Sequence, residues 1–242
     1  MRIVFLACSS WVSNPYLGGV SIAIVRDSGF ALLDCGPKAP ERIALCGLDP
    51  CSLDFVLVTH MHGDHVLGLP TLIMWRRFRC PSKTTVVVGA KPVIDSVRKL
   101  LELVGCPQHR EVELVPISVG EETEIMGYRL TLFEARHSIY STVVRLCVEG
   151  SCIAYSSDTA PCSAIAEASR GCSVLIHEAS GTDPELMHRI GHSTPLDAIE
   201  AAAASGVKRL VLMHPGLEPI SVPMRFSDLT IVVPHACYEI SS

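Results

Sequence analysis

The stretch FVLVTHMHGDH (55–65) limits this chain more than any other. An apolar run of strand type leads to His60, and His62, Asp64 and His65 follow at once. Imidazole and carboxylate groups are costly to bury unless they are hydrogen-bonded or share a cation. The cluster therefore belongs in a loop at the end of a buried strand, where a rigid scaffold carries chemistry. His60 and His62 are two positions apart, so an extended backbone points both to one side. Gly63 permits a sharp turn, and Asp64 and His65 then lie at a turn or helix start with a different aim. One short loop offers two pairs of ligands to two neighbouring ions. Nitrogen and oxygen donors without thiolate suit zinc, manganese or iron.

The same arrangement recurs along the chain. LTLFEAR ends at His137, CIAYSS at Asp158, VLI at His177 and Glu178, LVLM at His214, and ALL at Asp34. Polar groups at the carboxyl ends of buried strands collect along one edge of a sheet. Asp158 is the candidate for a carboxylate that bridges two metals, because it has two oxygens to offer.

Strands are expected at 2–7, 20–25, 30–34, 54–59 and 84–89, with a hairpin turn at Ser28–Phe30. Helices are expected over 67–78, starting near Pro70, and over KPVIDSVRKLLELVG (91–105), stopped by Gly105. EVELVPI (111–117) reads as a strand, TEIMGYRLTLFEARH as a hairpin and its continuation, and TVVRLCVEGSCIAYSSD as a hairpin turning at Glu149–Gly150. SAIAEASRG is a short helix. In TPLDAIEAAAASG, Thr194 caps the helix, Pro195 takes its first position, Asp197 completes the cap and Gly206 ends it. LTIVVP is a last strand. Early hairpins followed by βα units without a Rossmann glycine pattern give an α/β class, with sheets packed face to face and helices outside. No linker or repeat divides the 242 residues, so a single domain, 1–242, is expected.

Composition adds bounds. Hydrophobic residues make up 48% and aromatic residues 5%, so Val, Ile, Leu and Ala must fill the core. The net charge of −5 gives no global pull toward nucleic acid. The first apolar run is too short for a signal peptide and no run reaches membrane-spanning length. A cytoplasmic protein without a membrane partner is expected. The 11 cysteines contain no CxxC and are expected to be reduced thiols, with disulfides an option for a hyperthermophile.

THMHGDH resembles the HxHxDH signature of the metallo-β-lactamase superfamily, and Asp34, His137, Asp158 in SSDT and His214 in LMHPG follow in order. The resemblance covers essentially the whole chain and implies a four-layer αββα sandwich with two divalent metal ions, zinc first, manganese or iron as alternatives. Carried over, His60, His62 and His137 are ligands of one metal, Asp64, His65 and His214 of the other, and Asp158 bridges them. SSDT, IHEAS (176–180), GHSTPLDA (191–198) and LMHPG are similar to the ribonuclease Z branch and its phosphodiesterase relatives. There, the histidine at the position of His192 serves the leaving group. The long insertion that forms the tRNA-gripping arm of that branch has no counterpart, since His137 and Asp158 are only 21 positions apart.

The resemblance implies a hydrolase of phosphodiesters, of a small cyclic or linear kind or RNA, which uses a metal-bridging hydroxide. Asp64 would hold its proton and His192 would act as general acid. The competing reading of His192 is a helix-start histidine that bonds its own loop. Glu178 either orients His192 or a ligand, or is a solvated strand-end acid. His177 is assigned to the core, His188 to the surface, Asp34 to orienting the metal loop and Asn14 to a turn. In WRRFRCPSK (75–83), four cations with Trp75 and Phe78 could hold phosphates and bases, but a solvated helix end is the favoured reading. The alternatives are a thioester or lactone hydrolase of the same fold and a catalytically silent nucleic-acid-binding module. Relatives are often dimers, so a homodimer is an open assembly.

Overall fold

The computed structural model describes residues 1–11, 18–106, 111–217, 219–222 and 229–241. Asn14 lies outside them. By contacts the chain divides into two compact units, Met1–Ser118 with His235–Ser241, and Val119–Pro234.

The first unit holds β1 (Arg2–Cys8), β2 (Val20–Arg26), β3 (Gly29–Leu33), α1 (Ala39–Leu45), β4 (Leu53–Leu57), α2 (Gly63–Val66), α3 (Leu69–Arg79), β5 (Thr85–Ala90), α4 (Lys91–Leu103) and β6 (Val112–Ile117). A late strand, Tyr238–Ser241, pairs antiparallel with β1. Antiparallel β1, β2 and β3 lead into parallel β4, β5 and β6. Every residue of β5 is buried, as a parallel strand covered on both faces requires. Amphipathic α4 buries Val93, Ile94, Val97 and Leu101 along one stripe.

The second unit holds β7 (Glu122–Ile125), β8 (Tyr128–Glu134), β9 (Thr142–Val148), β10 (Ser151–Tyr155), α5 (Ser163–Ser169), β11 (Val174–Glu178), α6 (Pro184–Ile190), α7 (Pro195–Ser205), β12 (Arg209–Met213) and β13 (Thr230–Val232); the late strand of the first unit is β14. Its sheet runs β13-β12-β11-β10-β9-β8-β7. β7 to β10 are joined antiparallel, and β10 to β13 are parallel. Consequently β8, β10, β11 and β12 all run in one direction and deliver their carboxyl ends to one edge. Ala164, Ile165 and Ala168 of α5 and Ala198, Ile199 and Ala202 of α7 pack into a cluster with Leu175, Leu210 and Leu212. Small side chains let both helices lie close to the sheet. The Thr194 cap forms as expected: its hydroxyl accepts from Asp197 N at 3.2 Å while the Asp197 carboxylate accepts from Thr194 N at 2.7 Å.

Several expectations need correction. β3 begins at Gly29, so the tight turn is Asp27–Ser28. No expectation covers α1, α6 or β14: α6 does carry end signals in its Asp183 cap, Pro184 and Gly191, while the four residues of β14 are too few for alternation. α1 also hides its packing behind a charge, because Arg42 is buried and donates to Leu6 O at 2.8 Å. Arg76 leaves the basic stretch in the same way. It is 1% exposed and donates to Thr85 Oγ1 at 3.0 Å and to the carbonyls of Thr84 and Pro50. Burial pulls its guanidinium pKa down to about 10, with Asp49 and Asp54 opposing. Arg77, Phe78, Arg79 and Lys83 remain exposed, and Arg77 lies 3.5 Å from Glu111.

The cysteines are not all reduced. Cys46 pairs with Cys237, Cys51 with Cys80 and Cys147 with Cys152. Cys147 and Cys152 face each other directly across the β9–β10 hairpin. Cys46 and Cys237 are 191 positions apart, and they meet because Cys237 N donates to Phe5 O, which brings the chain end onto β1. Among the described residues, no helix is long and apolar enough to cross a membrane.

Candidate metal centre

In the first unit the signature loop leaves β4 extended, and His62, with ψ 144°, is the last extended residue before α2. The ring of His60 lies 4.9 Å from that of His62 and 4.1 Å from that of His65, so all three imidazoles gather on one loop. His60 and His65 are fully buried and Asp64 is nearly so. Asp34 organises the loop from the end of β3. Its Oδ1 accepts from Thr59 N at 2.9 Å, and its Oδ2 accepts from His65 Nδ1 at 2.8 Å. The Thr59 hydroxyl donates to Asp34 and in turn accepts from His60 Nδ1 at 3.1 Å.

The second unit repeats this logic. His137 Nδ1 donates to Gly191 O at 2.7 Å. The carbonyl is where it is because Gly191 caps α6 at φ 86°, and a Cβ there would lie 2.8 Å from Ser138 N. His214 Nδ1 donates to Ser180 Oγ at 2.8 Å, and that hydroxyl donates onward to Glu178 Oε2 at 2.5 Å. His192 Nδ1 donates to Glu178 Oε1 at 3.0 Å. Glu178 is 1% exposed and also accepts from Thr159 N at 2.7 Å, so it is no solvated strand-end acid.

One pattern unites these bonds. In His60, His65, His137 and His214 the Nδ1 nitrogen is engaged by the protein. Each ring is thereby held in the tautomer whose Nε2 carries a lone pair, the form metal-ligating histidines take when a carboxylate, carbonyl or hydroxyl orients them. The Nε2 atoms then face oxygen. His214 Nε2 lies 3.2 Å and His137 Nε2 3.9 Å from the same Asp158 Oδ2, and His65 Nε2 lies 3.6 Å from Asp64 Oδ2. Two lone pairs at these distances repel unless a cation sits with them. Burial holds the His137 pKa below the usual imidazole value, with Asp158 opposing, which keeps the ring a neutral donor. The donor set fits a divalent metal.

The backbone supports the site at a cost. Asp34, Ser157 beside Asp158, and His214 all adopt positive φ, at 57°, 52° and 64°. Such strain in non-glycine residues is held by surrounding structure and gathers at functional sites. Within the second unit, ligand atoms of Glu178, His192 and His214 lie within 4.8 Å of one another. The His192 ring stacks on His214 at 5.5 Å and meets His137 edge-on at 4.9 Å.

His177 is fully buried and donates from Nδ1 to Glu178 O, and its pKa is lowered by that burial, with Glu178 and Asp197 opposing. It is a core residue. His188 bonds Asp197 Oδ2 at 2.9 Å and braces the α7 cap. Thr59 and Ser180 are the residues that sequence reasoning missed. Their signal was adjacency: one precedes His60 and the other follows Glu178 by two, where a hydroxyl can serve two strand-end groups.

A family model for the β-lactamase superfamily domain matches residues 31–215. Ribonuclease Z of Methanothermobacter thermautotrophicus is 25% identical, over 88% of this chain and 86% of its own. The crystal structure of the short form of human tRNase Z has a TM-score of 0.82 at 22% identity, over 100% of this chain and 99% of its own. A diphosphatase of the PhnP family has a TM-score of 0.80 at 17% identity, over 99% and 97%. These structural likenesses show the metallo-β-lactamase fold that the motifs led us to expect. With the matched segment running from β3 to the residue after His214 and carrying the whole series of strand-end acids and imidazoles, the chain belongs to the β-lactamase superfamily.

Proposed function

We propose that this chain is a metal-dependent phosphodiesterase of the ribonuclease Z kind, acting on RNA or on a small cyclic or linear phosphodiester. Its two units would work as one hydrolase domain. His60, His62 and His137 would hold one divalent ion, Asp64, His65 and His214 a second, and Asp158 would serve both. Zinc is the first choice for this donor set, with manganese and iron as alternatives. When bound, such ions supply a nucleophile at neutral pH and polarise the phosphoryl oxygen.

The observation that carries the reading is His192. Glu178 anchors its Nδ1 at 3.0 Å, and its ring lies against His137 and His214. A general acid so placed matters for an alkoxide leaving group, which is far too basic to depart from a phosphodiester unprotonated. A thiolate, with a pKa of about 8.5, departs without such help. The His192–Glu178 pair therefore favours phosphodiesters over thioesters. Asp64 would hold the proton of the attacking water, and Ser180 ties the His214 ring to the carboxylate that holds His192. The relatives named ribonuclease Z support RNA as a substrate.

The test is hydrolysis by zinc- or manganese-loaded protein of a precursor tRNA with a 3′ trailer, a chromogenic phosphodiester and a thioester, beside an Asp64→Ala control. Cleavage of either diester by the loaded protein and not by the control supports the proposal; thioester cleavage alone overturns it. A cytoplasmic homodimer completes the reading. Disulfides are compatible with that compartment in hyperthermophiles, and sedimentation tests the assembly.

A further inference from the structure

Trp11 is 61% exposed, yet its ring is not adrift. Its edge rests on the backbone of Gly63, in the middle of the metal-ligand loop. A Cβ built on Gly63 would lie 2.5 Å from Trp11 Cη2 and 3.1 Å from Cζ3, with Leu67 Cδ1 closing the other side at 2.7 Å. A side chain at position 63 would have to displace the indole or Leu67, since both occupy the space its Cβ would take. The ring centroid is 6.2 Å from that of His62, at an interplanar angle of 62°. An indole resting by its edge on that loop and open over much of its surface is an apolar platform. With only two side-chain torsions, tryptophan loses little conformational freedom when a flat partner covers it.

We propose that Trp11 is the stacking platform for a nucleobase next to the scissile phosphate, so that the substrate is a diester bearing a nucleoside. This rests on the reading of the 60–65 loop as a metal centre. The indole stands 6.2 Å from the His62 ring, so a phosphate held beside His60 and His62 would bring its neighbouring nucleoside within reach of it. Stacking is available to every base because every base has a π face, so the platform selects nucleotides over simple alkyl diesters without selecting sequence. It serves a dinucleotide, a cyclic nucleotide or an RNA end equally well.

The chain has two tryptophans, and the other, Trp75, is half-buried on α3. In the Trp75→Phe background Trp11 is therefore the sole indole reporter. The metal-loaded protein is titrated with adenosine 5′-monophosphate and, separately, with methyl phosphate. Saturable quenching of Trp11 by the nucleotide and none by methyl phosphate is the expected result. In kinetics on the dinucleotide ApA, Trp11→Ala should raise KM about 5- to 150-fold, the effect of losing one stacked base. The change in kcat should be much smaller, and Trp11→Phe should recover most of the loss. Trp11 fluorescence indifferent to the nucleotide, or a KM for ApA unchanged in Trp11→Ala, overturns the proposal. If the same protein still hydrolyses a chromogenic diester, the metal-centre reading stands while the platform falls; if it hydrolyses no diester, that reading falls first.

Discussion

Replacing Asp34 by asparagine changes one atom and should weaken the hold of His65, a proposed metal ligand 31 positions away. The carboxylate accepts from Thr59 N at 2.9 Å, from the Thr59 hydroxyl at 3.0 Å and from His65 Nδ1 at 2.8 Å. Asparagine has one acceptor oxygen where aspartate has two. With that oxygen toward Thr59, an NH2 group faces the N–H of His65. With the amide flipped, it faces the N–H of Thr59. Either way two donors meet in a fully buried site, at about 1–3 kcal/mol. His65 can relieve the clash only by moving its proton to Nε2, which removes the lone pair a metal needs. Loss of such an orienting partner lowers metal affinity about 10- to 100-fold. Asparagine also tolerates the φ of 57° at this position, so the backbone adds no strain and the effect isolates the hydrogen bonds. Chelator competition on zinc-loaded protein measures the affinity, and urea unfolding of the metal-free protein measures the packing loss. Asp34→Ala should be worse in both assays, since it orphans donors and strains φ together. If Asp34→Asn binds metal as tightly as the parent, the carboxylate does not set the His65 tautomer and the account of the loop fails.

Two further outcomes follow from the same contacts. His192→Ala should lower kcat on a phosphodiester about 10²- to 10⁴-fold while metal content stays intact; unchanged turnover would remove its role as the acid. Loop-closure entropy ranks the disulfides by span. Losing Cys46–Cys237, 191 positions apart, should cost up to about 5 kcal/mol of stability, and losing Cys147–Cys152, 5 apart, about 2 kcal/mol. Equal losses in denaturant unfolding of the Cys46→Ser and Cys152→Ser variants would show that loop closure is not the stabilising mechanism.

The residues that could be read from sequence share one property: each lies where local pattern and chemistry agree. The extended spacing of His60 and His62, the turn at Gly63, the Thr194 cap and the acids and imidazoles at strand ends are all consequences of chain geometry over a few residues. Arg42 and Arg76 were illegible for the opposite reason. Their charges suggest solvent, and only packed carbonyls from distant segments explain their burial.

The amino-acid sequence by itself determined the family, the α/β class, most of the strands and the ligand-type side chains, because period, turn chemistry and donor identity are local. Tertiary structure alone decided which nitrogen His65, His137 and His214 present, since that depends on Asp34, Gly191 and Ser180 arriving from other elements. It also decided that Glu178 holds His192, that Cys46 finds Cys237, and that the Trp11 ring lies on Gly63. Each of these joins residues that the chain separates and only the folding of each unit brings within hydrogen-bond or van der Waals distance.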